Sequence, residues 1–195
     1  MTSRFLSSLA AVFTVLLMAG CGDAAAPAGA GSAGSQPVSI GAISSGATGF
    51  TVGSTMSTRT VYVFFDAQCS HCGALWYAAK PLKSQAKFVW IPVGLLNAAS
   101  TSQGATILAA ADPAAKMDEH ETSLMAKGGG LSAASGIDAQ KDAIAKNTAL
   151  MNSFGFGSVP TIVGTHAQTG EVVKQEGAMP TAALASFLGL QVPAQ

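Results

Sequence analysis

Residues 61–76 read VYVFFDAQCSHCGALW, and the fold is decided inside this stretch. From Thr60 to Phe65 the chain is rich in β-branched and aromatic residues. A run apolar on both faces fits a central strand covered on both sides. Two cysteines, Cys69 and Cys72, follow with two residues between them. After Ser70 the apolar spacing changes. Leu75, Ala78, Ala79 and Leu82 mark one helical face, and Pro81 is expected to kink that helix. Lys87 to Val93 then reads as a second buried strand. Strand, helix, strand is a βαβ unit, and the cysteines fall at its first strand-to-helix turn.

Working outward, TSQGATILAAA reads as a helix. Asp112-Pro113 has the form of a helix start, a capping acid before a proline. That helix is expected to run through Met117 and Leu124 to about Lys127. Gly128 to Gly130 make a loop. DAQKDAIAKNTALMNSFG is a further amphipathic helix, with Ile144, Leu150 or Met151, and Phe154 inward; Gly155 and Gly157 end it. SVPTIVG and EVVKQEG read as strands joined at Thr169-Gly170, and Pro180 to Leu188 as a last helix. Ahead of the central strand, VSIGAISSGATGFTVG suggests one or two short strands. The order βαβ, helical block, ββα predicts an α/β, thioredoxin-like fold over residues 38–195, with a helical insertion at about 97–155.

The amino terminus reads differently. Arg4 precedes an apolar run from Phe5 to Met18, followed by small residues and Cys21. The run is too short to span a bilayer comfortably and fits the core of an export signal, residues 1–20. Its Leu-Met-Ala-Gly-Cys ending resembles a bacterial lipobox, which would place a lipid anchor on Cys21. Residues 21–37 are mostly alanine, glycine, serine and proline, which suits a flexible tether. The chain has three cysteines, so lipidation of Cys21 leaves one even pair. The expected compartment is an oxidising cell envelope, the periplasm. Ten basic residues balance ten acidic ones, so no nucleic-acid partner is expected.

A Cys-x-x-Cys pair can be a metal clip, a structural staple or a redox centre. Zinc wants four ligands, and only His71, His120 and His166 stand by, with His120 and His166 expected on the surface. No metal site and no cofactor is therefore expected. A disulfide closing so short a loop stabilises little. A redox pair fits better. Free N–H groups and the helix dipole favour a negative sulfur at Cys69, the nucleophile, while Cys72, almost one turn on, resolves the mixed disulfide. A non-catalytic Cu(I) or Zn²⁺ carrier using both thiolates is the rival from another class. Asp66 either moves protons and tunes the pair or is a strand-end residue satisfied by local N–H groups. Phe64, Phe65, Trp76 and Tyr77 are expected to pack rather than touch clients.

VYVFFDAQCSHCGALW, WIPVGLL, ILAAADPAAK and SVPTIVG occur in the order found in DsbG/DsbC-like thiol–disulfide interchange proteins, and the resemblance is closest on the DsbG side. It runs from Arg59 to Leu190. It implies a thioredoxin fold with an inserted helical subdomain. It also implies a cis Val159-Pro160 bond facing the cysteines, with the Val159 backbone free to pair with a client strand. Clients would carry thiols, disulfides or sulfenic acids, and a DsbD-type membrane protein would supply electrons to a DsbG-like reductase or isomerase. The chain departs from the pattern in three places. Between Cys21 and Arg59 there is no room for the family's dimerisation domain, so a monomer is expected. Ser70-His71 replaces the usual Pro-Tyr, and Val159 replaces threonine. His71 and Val159 resemble the oxidase DsbA at these places, and Ser70 and His71 are expected to tune the centre, with His71 shifting it towards oxidation. DsbA lies near −120 mV and thioredoxin near −270 mV, a gap of roughly 7 kcal/mol.

Overall fold

The computed structural model describes residues 35–193. The export signal 1–20, Cys21 and the tether up to residue 34 lie outside the described residues. The last tether residues, 35–37, have no regular structure, and Gln36 N–H donates to Ser153 O at 2.8 Å.

The elements run α1 (Ile40–Gly46), β1 (Phe50–Gly53), β2 (Thr60–Asp66), α2 (Ser70–Ala79), β3 (Lys87–Val93), α3 (Ala98–Ala109), α4 (Pro113–Met125), α5 (Asp138–Ser153), β4 (Thr161–Thr165), β5 (Val172–Glu176) and α6 (Thr181–Leu188). One five-stranded sheet has the order β1-β3-β2-β4-β5. β2 and β3 are parallel, as a βαβ unit requires, and the other pairs are antiparallel. Three helices, α3 to α5, lie between β3 and β4 in the chain, which is the expected helical insertion in a thioredoxin-like fold.

β2 is apolar throughout because it is covered on both faces. Val61, Val63 and Phe65 enter one core with α2 and α6, and Tyr62 and Phe64 enter the other with α1 and α5. The same alternation sends Phe88 and Trp90 of β3 to the first core, and Ile91 and Val93 to the second. The expected packing aromatics Phe64, Phe65 and Trp76 are buried, and Tyr77 is half-buried under Lys80 Nζ. Trp76 meets Trp90 edge-on with ring centroids 4.9 Å apart. Each such ring contributes about 2–3 kcal/mol by leaving water, so they hold α2 firmly to the sheet.

Four details differ from the sequence reading. Ile40–Gly46 is a helix rather than a strand. Ser39 caps it by accepting from Ala42 N–H at 3.2 Å, and Ile43 is fully buried. Val38, Ile40 and Ala42 mimic a strand's alternation, yet they pack beside the buried Ile43 of a helix. Ala78 is only half-buried; α2 turns Cys72, Leu75, Trp76 and Ala79 inward. Pro81 does not kink α2 but sits in a 3₁₀ turn, Lys80–Leu82, that closes it. His120, expected on the surface, is completely buried, whereas His166 is half-buried.

Candidate active site

β2 delivers the chain to the site and α2 starts there. Asp66 ends the strand, and Cys69 N–H donates to Asp66 O at 3.0 Å, closing the turn. Cys69 is the N-cap of α2 with extended dihedrals, φ −95° and ψ 108°, and its sulfur accepts from Cys72 N–H at 3.3 Å. The first N–H groups of a helix lack partners within it, so a sulfur placed there is met by donors. Both cysteines are free thiols.

The two sulfurs differ sharply. Cys69 is lowered from its ordinary 9.0 to about 6. The Cys72 thiol, which donates to the Cys69 sulfur, is the main cause. Burial opposes this, and the backbone N–H groups of Cys72 and His71, then the charge of His71, lower it further. The backbone of residue 71 thus matters before its imidazole. Cys72 is pushed well up, first by burial and then by Cys69, because one proton is shared between the pair. Cys69 is 6% exposed and Cys72 is sealed. The exposed edge of Cys69 opens on a groove of about 530 Å³, which Ser70, His71, Leu95, Leu96 and Val159 help to line. Leu95 and Leu96 show unusual apolar exposure, at 39% and 55%.

The Val159-Pro160 bond is cis. Val159 O accepts from the Cys69 thiol at 3.6 Å. Cys69, Cys72, Ser70, His71, Val159 and Pro160 therefore gather at one end of the sheet. Asp66 belongs there too, but with three backbone partners. Its Oδ1 accepts from Gln68 N–H at 2.8 Å, and its Oδ2 from Leu95 N–H at 2.7 Å and Leu96 N–H at 3.0 Å. It pins the groove's two leucines to the end of β2. Asp66 acts on Cys72 in two opposing ways, its backbone lowering the thiol and its charge raising it.

Asp66→Asn is therefore expected to destabilise the fold by about 3 kcal/mol, since an amide cannot accept all three bonds and leaves buried N–H groups unmet. Urea unfolding of the reduced protein measures this, and a loss under about 0.5 kcal/mol would contradict it.

Two residues of the site were not foreseen. His120 on α4 contacts Ala67 O through Nε2 at 2.5 Å and accepts from Leu131 N–H at Nδ1, 3.2 Å away. Those partners fix a neutral ring with the proton on Nε2, and burial lowers its pKa. Gly130, at φ +84°, leaves space for the ring, since a Cβ there would lie 2.5 Å from Cε1. Glu121, next along, is 1% exposed. The pattern was available in the sequence: Met117, His120, Glu121 and Leu124 stand at i, i+3, i+4 and i+7 of the expected helix. Among the described residues, no three His, Cys, Asp or Glu side chains converge as a metal site would need.

No family model matches the chain. It is 32% identical to the thiol:disulfide interchange protein DsbG of Pseudomonas aeruginosa over 134 residues, 67% of this chain and 51% of that protein. The chain thus spans about half the length of this curated relative. The catalytic domain of Proteus mirabilis ScsC superposes with a TM-score of 0.58 at 15% identity, covering 76% of this chain and 96% of that one. A disulfide interchange protein from Neisseria gonorrhoeae gives 0.53 at 21%, covering 72% and 93%. These two likenesses carry the fold, and the sequence match carries the kinship. The chain is a DsbG-like member of the thioredoxin-fold thiol:disulfide interchange proteins.

Proposed function

We propose that this protein is a thiol–disulfide oxidoreductase of the periplasm, cycling Cys69 and Cys72 between dithiol and disulfide. The observation that carries this reading is the asymmetric pair: a sulfur ionised near pH 6 at the head of α2, beside a buried, protonated one. The Cys69 thiolate attacks a client disulfide, forming a mixed disulfide and releasing one client sulfur as a thiolate. Cys72 then loses its proton and attacks Cys69. The Cys69–Cys72 bond forms, the bond to the client breaks, and the client leaves with two more electrons. The groove receives the client segment, with Leu95 and Leu96 taking apolar side chains and the Val159 backbone pairing with its main chain.

A DsbG-like reductase or isomerase is the favoured direction, with clients bearing misplaced disulfides or sulfenic acids and a DsbD-type membrane donor restoring the dithiol. The oxidase reading draws on Ser70-His71, Val159 and the acidic Cys69. The size of the Cys69 shift favours the reductase reading. At pH 7 a fall from 9.0 to about 6 favours the dithiol by about 1.4 kcal/mol, or about 30 mV. That is far less than the roughly 150 mV between thioredoxin and DsbA. Lipidation of Cys21 would tether the exchanger to a membrane, and a monomer suffices for this chemistry. Acid trapping and thiol alkylation of cell-envelope extracts test the direction. The pair is expected mostly reduced; a mostly oxidised pool would make the protein an oxidase.

A further inference from the structure

Glu121 is a buried carboxyl that nothing in the exchange chemistry above uses. Both of its oxygens are sealed from solvent and lack a hydrogen-bond partner. α4 packs on α2, α3 and β1, and the carboxyl is pressed against α2 at Gly73, beside Cys72. A Cβ on Gly73 would lie 2.1 Å from Oε2, so glycine there makes room for it. Such a group is costly to bury charged and needs a reason to be there. Its pKa rises from 4.5 to about 7, through burial first and then the charge of Cys69. The titratable groups around it are few. α2 brings Cys69, His71, Cys72 and Tyr77; α4 itself brings Lys116, Asp118, Glu119 and His120; Asp66 lies beyond, at the end of β2. α3 and β1 bring none. Asp118 is engaged by Trp76 and Lys80, and His120 by Ala67 and Leu131.

We propose that Glu121 is a redox-linked proton site of the Cys69–Cys72 centre, protonated while Cys69 is a thiolate and ionised once Cys69 enters a disulfide. Two anions crowded in one apolar core repel, so the buried site holds one negative charge in either redox state. The overall reaction then closes without solvent protons. Cys69 thiolate, Cys72 thiol, Glu121 carboxylic acid and a client disulfide become the Cys69–Cys72 disulfide, Glu121 carboxylate and two client thiols. Two electrons pass to the client, whose S–S bond breaks as the enzyme's forms. One proton comes from Cys72 and one from Glu121, and the net charge is unchanged. Glu121 is a positioning residue for charge and protons and touches no client.

The inference rests on the exchange reading, and one experiment separates their failures. Wild-type protein and Glu121→Gln are equilibrated with glutathione buffers between about pH 5 and pH 8. Wild type is expected to take up an additional proton on reduction below pH 7, an extra change of up to about tenfold in the equilibrium constant per pH unit. Glu121→Gln is expected to lose that extra slope while still exchanging. Superimposable curves overturn the role of Glu121. A wild-type protein that never equilibrates with glutathione overturns the exchange reading instead. Should the variant not fold, infrared difference spectra of the wild type, with and without ¹³C-glutamate labelling, decide. A glutamic-acid carbonyl band present only in the reduced state supports the assignment, and its absence refutes it.

Discussion

Cys72→Ser is expected to accumulate client proteins on Cys69 as mixed disulfides, and Cys69→Ser to accumulate none. The asymmetry of the pair drives this result. At pH 7 a thiol of pKa about 6 is about 90% thiolate, against about 1% for one at 9.0. Intrinsic nucleophilicity falls with pKa, which cancels much of that roughly ninetyfold gain. The larger difference lies in the second step, which expels the client sulfur from Cys69. That step needs Cys72, fixed one helical turn away and acting at an effective concentration of about 10⁵ M or more. Free thiols at millimolar levels cannot match it. The mixed disulfide should therefore live at least about a thousandfold longer in Cys72→Ser, and insulin reduction should fall to background in both variants. Serine at position 72 fills the same sealed site. Circular dichroism confirms the fold, and mass spectrometry of adducts from non-reducing gels identifies the clients. Equal adducts on both variants would remove Cys69 from the mechanism.

The second large effect is on stability. Between pH 7 and pH 8 the reduced protein is expected to gain about 0.9 kcal/mol that the oxidised protein does not. Cys69 titrates lower folded than its ordinary 9.0, so the unfolded chain binds more protons across the window from about 6 to 9. Its stabilisation is complete above 9 and is lost as pH falls through about 6. Glu121 works the other way, raised from 4.5 to about 7, so stability falls with rising pH through that lower window. His120 is held below its ordinary 6.5 by burial, and Cys72 titrates well above 9.0. Between 7 and 8 Cys69 is the larger contributor, and the end of the Glu121 titration offsets about 0.3 kcal/mol of its gain. Urea unfolding with and without reductant at the two pH values measures the difference. Parallel behaviour of the two redox forms would mean that Cys69 is not a stabilised thiolate.

The fold was legible wherever the relevant pattern is local. β3 begins and ends at the expected residues, and α4 starts at Asp112-Pro113, where Asp112 caps it by accepting from Ala115 N–H at 3.0 Å. α1 was not legible, because a short alternating stretch fits a strand or a helix until its partner surface is known. Asp66 was half legible. Its link to Gln68 is two residues long, but its links to Leu95 and Leu96 cross 29 and 30 residues.

The sequence by itself determined that a buried strand runs into a helix with Cys69 at the cap and Cys72 almost one turn on. Spacing along one strand-turn-helix is a one-dimensional property, and it fixes which sulfur meets the free N–H groups. Only the tertiary structure decided what lies beneath that turn. His120 and Glu121 share a helical face with Met117 and Leu124, but they are polar, and hydropathy alone sends polar residues of a surface helix outward. The packing of α4 on α2 turns them inward instead, placing an unpartnered carboxyl against Gly73 beside the cysteine pair. The charge balance of the centre is set by that long-range contact, because in a medium of low dielectric a single buried neighbour outweighs the residues adjacent in the chain.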